Sequence, residues 1–203
     1  MSAAAAETPR NPAAGAAAEW VLPSRRRAGV LGLITAEASL FAVFLVAYLF
    51  YIGKSVSGPQ PKDVLDLPIL ISLCLWASSG TVWLAERAVH QGDVRRCGLW
   101  LLATIVLGGV FLGGTAREWY RLIVEHGLTI GTNLFGTTFY SLVGLHAGHV
   151  TVGLLVLTLL LLFAWTGALR PAHAEHVQLV SWYWHFVDTV WVAVFLAVYV
   201  VGR

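Results

Sequence analysis

The chain has 203 residues, of which 58% are hydrophobic and only 12% charged, whereas a soluble domain carries roughly 25% charged residues. A water-exposed globule is excluded, and most of the chain must face lipid or other apolar helices. The formal net charge of +2 supplies no basic surface for a nucleic acid, so no such partner is expected.

The amino-terminal stretch MSAAAAETPRNPAAGAAAEWVLPS is rich in Ala, Gly and Pro and carries Glu7 and Glu19 without an apolar core. It lacks the anatomy of a secretory signal, and residues 1–27 read as a flexible inner-face tail. An organelle presequence is the weaker alternative, because such segments avoid acids. Five long apolar runs follow, at about 28–51, 67–89, 97–116, 134–166 and 179–201, each near the roughly 20 residues that cross a hydrocarbon core. The fold class expected is all-α, an integral membrane bundle of five transmembrane helices forming one domain over 28–203. Short connections predict that consecutive helices lie antiparallel and adjacent.

Between the first two runs, Gly53, Gly58, Pro59 and Pro61 mark an exposed loop. The second run contains ASSGT at Ala77–Thr81, small and hydroxyl-bearing, which suits a tight interface or a helix-to-helix hydrogen bond. In the third, Gly109 and Gly113 are four apart, and the fourth repeats the spacing at Gly144 and Gly148, a pattern that lets helix backbones approach closely. The fourth run would be roughly 48 Å long if straight, against a core of about 30 Å, so it tilts or projects. No pair of related halves with interrupted helices marks an inverted-repeat transporter.

Cys74 lies roughly 20 Å above the inner end of the second run and Cys97 starts the third at that same end, so the two thiols are expected to be free and buried. Their spacing fits no zinc or haem-attachment pattern. With the amino end inside, Arg10, Arg25, Arg26, Arg27, Arg87, Arg95, Arg96 and Arg170 fall on that side, and Lys54, Lys62, Arg117, Arg121 and Arg203 on the other. Eight against five favours a cytoplasmic amino end and an external carboxyl end.

The ionisable residues well inside the runs form a short set: Glu37, His146, His149, His185 and Asp188. A charged group at a helix centre costs a few kcal/mol on insertion scales, so each should face the bundle, a partner or a polar cavity. No Lys or Arg accompanies them, which leaves a histidine or a lipid headgroup as the partner for Glu37. His146 and His149 are three apart, as are His185 and Asp188, so each pair shares a helix face. One reading is a metal centre, although the di-metal bundle signature is Glu-x-x-His and neither pair matches it. A second is a set of groups that satisfy one another across helices, His185 and Asp188 bonding to the fourth run near His146 or His149. A third is proton handling or lipid headgroup binding at Glu37. Trp76, Trp83, Trp100, Trp119, Trp165 and Trp182 lie mostly toward run ends, where indoles anchor at the interface. Trp184 and Trp191 lie deeper and suit packing on a partner subunit.

Two segments carry a family resemblance. FYSLVGLHAGHVTVGL, from Phe139 to Leu154, resembles the F(F/Y)xLxGxHxxHVxxG segment of subunit III of haem-copper oxygen reductases, and SWYWHFVDTVWVAVF resembles that family's YWHFVDxVW terminal signature. Glu37 in ITAEASLF falls where the family has a membrane-embedded glutamate, and VLGGVFLGGTAREW is similar to LGxxFLxxQxxEY, retaining Glu118. Ala36, Thr115 and Trp119 depart from the usual serine, glutamine and tyrosine. The resemblance covers about residues 28–203 and is to the short, five-helix bacterial form.

That resemblance implies a non-catalytic subunit of a proton-translocating terminal oxidase in the bacterial plasma (inner) membrane, in aerobic electron transport from cytochrome c to oxygen. It implies no haem, copper or other metal in this chain, with haem and copper in partner subunits. It further implies packing beside subunits I and II, phospholipid held in a cleft, and sustained turnover. Glu37 is then the lipid- or proton-linked residue; His146, His149, His185 and Asp188 form the interhelix polar set; Trp182, Trp184, Trp191 and Glu118 serve interfaces or anchoring. The equivalent subunit of a quinol oxidase, the accessory protein of a nitric oxide reductase, and, from another class, a small proton-coupled transporter remain as alternatives.

Overall fold

A computed structural model describes residues 24–202; most of the expected tail, residues 1–23, and Arg203 lie outside the described residues. Among the described residues, five helices are long and apolar enough to cross a membrane. They are α1 (Arg25–Tyr51), α3 (Ile69–His90), α4 (Val94–Val124), α5 (Leu134–Trp165) and α6 (Ala174–Phe195). The short α2 (Pro61–Val64) lies in the first connection, and α6 is entered through a 3₁₀ turn at Pro171–His173 and left through a π-helical turn at Leu196–Val201.

The helix starts follow local chemistry. Ser24, Asp93 and Asn133 each accept a bond from the backbone N–H three residues on, capping α1, α4 and α5, so an otherwise orphan donor is satisfied at each amino end. Gly92 and Gly167 follow the carboxyl ends of α3 and α5 with φ of +83° and +75°, the left-handed conformation that ends a helix and that glycine adopts without a Cβ penalty.

α4 packs against α3 and α5, and α6 packs against α3 and α5, while α1 lies on α5 and α6. Strict neighbour-to-neighbour order therefore breaks at the first connection: the principal neighbours of the first span are the fourth and fifth rather than the second. The 52–68 connection carries the chain across the amino end of α5, where Asn133 Nδ2 donates to the Ser57 and Pro59 carbonyls at 3.0 and 3.1 Å and Phe135 N–H donates to Ser55 Oγ at 2.9 Å. α4 also runs to Val124, eight residues past the expected end at 116. Arg117, Glu118 and Arg121 lower the hydropathy there, yet Thr115 and Leu122 on the same turns are buried, so tertiary packing extends the helix.

Close backbone approach occurs at glycines other than the expected pairs. A Cβ on Gly109, Gly113 or Gly148 would meet nothing within 4 Å, and on Gly144 it would meet only the Trp119 ring at 3.4 Å. Two tight positions meet one side chain: Gly108 on α4 and Gly153 on α5, where a Cβ would fall 3.0 and 2.8 Å from the Trp184 indole. The indole of α6 thus lies in a slot between two glycines. Trp184 and Trp191 are both about 1% exposed, so their bulk fills this chain's own core rather than a surface for a partner.

Candidate functional site: the polar groups of the bundle core

Glu37 projects from α1 toward α5, where its Oε2 lies 3.0 Å from His149 Nε2. The other ring nitrogen, Nδ1, is 2.8 Å from the Leu145 carbonyl, an acceptor only, so Nδ1 carries a hydrogen and donates. Nε2 then meets Glu37 in one of two ways: imidazolium to carboxylate, or neutral imidazole to carboxylic acid. Either way the pair shares one proton. The side chains of His149 and Glu37 are 15% and 26% exposed, so the pair borders the bundle surface. The Phe41 ring packs on His149 at 4.8 Å, and Tyr183 O–H donates to the His149 carbonyl at 3.3 Å.

His146, one turn below on the same helix, has a different environment. It is fully buried, stacked on Trp191 at 4.9 Å with 26° between planes and met edge-on by Phe111 at 5.7 Å. Neither of its ring nitrogens has a hydrogen-bond partner among the described residues.

His185 and Asp188 do meet, but through the second span instead of the fourth. Ser79 O–H on α3 donates to Asp188 Oδ2, and His185 Nδ1 lies 3.2 Å from Ser79 Oγ. With its hydrogen given to the carboxylate, Ser79 Oγ accepts from His185, and one hydroxyl links the pair. The expected contact with His146 or His149 does not form, because the 185 and 188 side chains lie on the face of α6 that packs on α3. Two more serines continue that seam: Trp184 Nε1 donates to Ser78 Oγ at 2.9 Å and Trp191 Nε1 to Ser72 Oγ at 3.0 Å. Ser78 and Ser79 belong to the ASSGT segment whose hydroxyls suggested such a role, and Thr81 adds a 2.8 Å contact to Thr104 of α4. Ser72 was not legible; its only signal is a position seven residues before Ser79, which places both on one helix face.

Near the carboxyl end of α4, Glu118 accepts from Tyr199 O–H at 2.9 Å, tying α4 to the π-helical turn. At the opposite end of the bundle, Gln178 of α6 donates to Glu86 of α3 at 3.1 Å. Neither Tyr199, Glu86 nor Gln178 stood out in sequence. Trp182 is half-buried on α6. Among the described residues no three His, Cys, Asp or Glu side chains gather to hold a metal: His149 is engaged with Glu37, and His146 sits between aromatic rings. Cys74 and Cys97 are both free thiols.

Residues 24–203 match the family described as cytochrome c oxidase subunit III. The chain belongs to that family. It is 37% identical to cytochrome c oxidase subunit 3 of Corynebacterium diphtheriae over 164 residues, covering 80% of this chain and 79% of the relative. Identity to cytochrome c oxidase subunit 3 of Alkalihalophilus pseudofirmus is 35% over 168 residues, covering 82% of each chain. The cytochrome bo(3) ubiquinol oxidase subunit 3 of Pseudomonas aeruginosa is 34% identical over 168 residues, covering 82% of this chain and 80% of the relative.

Membership makes the chain a multi-pass subunit III of a haem-copper oxidase, one component of an oxidoreductase complex with other oxidase subunits. Two departures from the subunit III pattern now have local accounts. Thr115, in place of the usual glutamine, is buried and donates to the Phe111 carbonyl at 3.0 Å within α4, so it needs no partner from another helix. Trp119, in place of tyrosine, packs edge-on against Tyr140 of α5 at 5.3 Å.

Proposed function

We propose that this subunit III carries no redox centre, packs beside subunits I and II of a cytochrome c-fed, proton-translocating oxidase, and sustains its turnover by holding phospholipid against the Glu37–His149 pair. The observation that carries the reading is the pair itself. A carboxyl and an imidazole sharing one proton at the edge of an otherwise apolar helix leave the second carboxyl oxygen of Glu37 as an acceptor for a lipid headgroup donor, and they are costly to leave in hydrocarbon without use. The bacterial plasma membrane, with the amino end cytoplasmic, is the matching location; it rests on the excess of arginines at the inner ends and on the bacterial sources of the relatives.

The test is Glu37→Gln in the assembled oxidase. The expected result is wild-type initial oxygen consumption with loss of bound phospholipid and a shorter active lifetime during continuous turnover. Immediate and complete loss of oxygen reduction, with subunit I fully assembled, would refute it. The name of the Pseudomonas aeruginosa relative, a ubiquinol oxidase subunit, favours one second reading, in which the complex is fed by quinol. Oxidation of reduced cytochrome c by the purified complex, against oxidation of a quinol, separates the two.

A further inference from the structure

We propose a second phospholipid site at the outer ends of α3 and α4, distinct from the Glu37–His149 pair and selective for a zwitterionic headgroup bearing a primary ammonium. A cavity of about 530 Å³ lies there, with Asp66, Arg117, Glu118, Arg121 and Glu125 among its lining residues. Arg117, Arg121 and Glu125 follow one another at four-residue intervals along one face of α4, about 6 Å apart per step. Its apolar part opens toward hydrocarbon, since Ile69, Leu70 and Tyr120 line it and all three are more than half exposed. Its base is closed where α3 and α4 meet, because a Cβ on Gly114 would collide with Ile71. A charged mouth above an apolar wall at the membrane surface is the form of an amphiphile site.

The charges select the headgroup. Arg121 is already held by Asp66 and reaches the Val64 carbonyl. Among the described residues neither Arg117 nor Glu125 forms an ion pair, and Glu118 Oε1 is buried without a hydrogen-bond partner. Arg117 therefore has its donors available for a phosphate diester, and Glu125 an acceptor for an ammonium. Three carboxylates face two guanidinium groups in this cavity, so an anionic lipid would add like charge and leave Glu125 uncompensated. A choline headgroup balances charge yet has no N–H to donate. An aminophospholipid of the phosphatidylethanolamine class meets both requirements.

The test uses the complete oxidase, wild type or carrying Arg117→Gln, Glu125→Gln or Glu37→Gln, in nanodiscs of phosphatidylcholine doped with phosphatidylethanolamine. After detergent washing, retained phosphatidylethanolamine per complex is counted by mass spectrometry. Arg117→Gln and Glu125→Gln are each expected to lose one equivalent, or to need about tenfold more lipid to retain it, as loss of one charge-assisted contact implies; Glu37→Gln keeps it. Glu125 is an exposed helix-end residue, so its variant reads binding even where an Arg117 variant assembles poorly. Unchanged retention in both variants would overturn the proposal, as would equal retention of phosphatidylglycerol or phosphatidylcholine. Displacement by soluble glycerophosphoethanolamine at equal concentration, or a partner polypeptide seated in the cavity in an image of the complex, would overturn it too.

Discussion

Alanine at Gly153 is the perturbation for which the structure gives the sharpest magnitude. Its Cβ would lie 2.8 Å from Cε3 and Cζ3 of Trp184, and Cη2 and Cζ2 of the same indole are 3.0–3.1 Å from the Cβ position of Gly108. The ring cannot slide away, because its Nε1 is bonded to Ser78 at 2.9 Å. Replacing a helical glycine by alanine where there is room gains about 0.5–1 kcal/mol of backbone entropy, whereas overpacking a filled core costs roughly 1–3 kcal/mol. The net expectation for Gly153→Ala is a loss of about 1–2 kcal/mol, while Gly109→Ala, with nothing within 4 Å, is neutral or stabilising within this chain. For a chain of about 200 residues each kcal/mol moves the thermal midpoint by roughly 2–4 °C. In a Cys74→Ser background, the fully buried thiol of Cys97 provides the assay: a maleimide dye labels it as the bundle opens on heating. Gly153→Ala should lower the labelling midpoint by about 2–8 °C. A wild-type midpoint for Gly153→Ala, or a larger loss for Gly109→Ala, would refute the glycine-slot reasoning.

Three further outcomes concern the polar contacts between helices. Asp188→Ala removes the acceptor for Ser79 and is expected to cost about 1–3 kcal/mol, seen as a reduced yield of intact complex that Asp188→Asn restores; a wild-type yield for Asp188→Ala would contradict it. Because Ser79 links His185 to Asp188, Ser79→Ala combined with Asp188→Ala should cost less than the sum of the two single changes, whereas strict additivity in thermal midpoints would show that the three groups do not act together. Tyr199→Phe strips Glu118 of its hydroxyl donor and is expected to lower the midpoint by roughly 2–4 °C, as for a net loss of about 1 kcal/mol; no shift would remove Glu118 from the structural account.

What was legible in the sequence was set by properties each residue carries alone. Long apolar runs announce spans whatever surrounds them, and the scarcity of intramembrane charges made Glu37, His149, His185 and Asp188 conspicuous. Their partners depended on helix rotation and neighbour order, which hydropathy does not encode. The fifth span turned its His185–Asp188 face toward α3, so the small hydroxyl of Ser79 became the linking group and the fourth span did not. The glycine spacing misled for the same reason: Gly109 and Gly113 have the familiar separation, but Gly108 and Gly153 face the indole. Trp184 and Trp191 looked suited to a partner because large aromatics favour interfaces; two serine acceptors and a glycine slot let this chain bury them itself. The end of α4 was hidden by charges lying along one side of a helix that is buried on the other.

The central claim is that these ionisable groups join helices and lipid while electrons pass through other chains of the complex. Its most direct test is to isolate the oxidase through a tag on this chain, separate the subunits without denaturing them, and assay each for haem spectrum, copper and redox activity. All haem and copper should travel with the partner chains, leaving this one colourless and electrochemically silent. A redox-active metal retained by this chain and released on replacing His146, His149 or His185 would contradict the account.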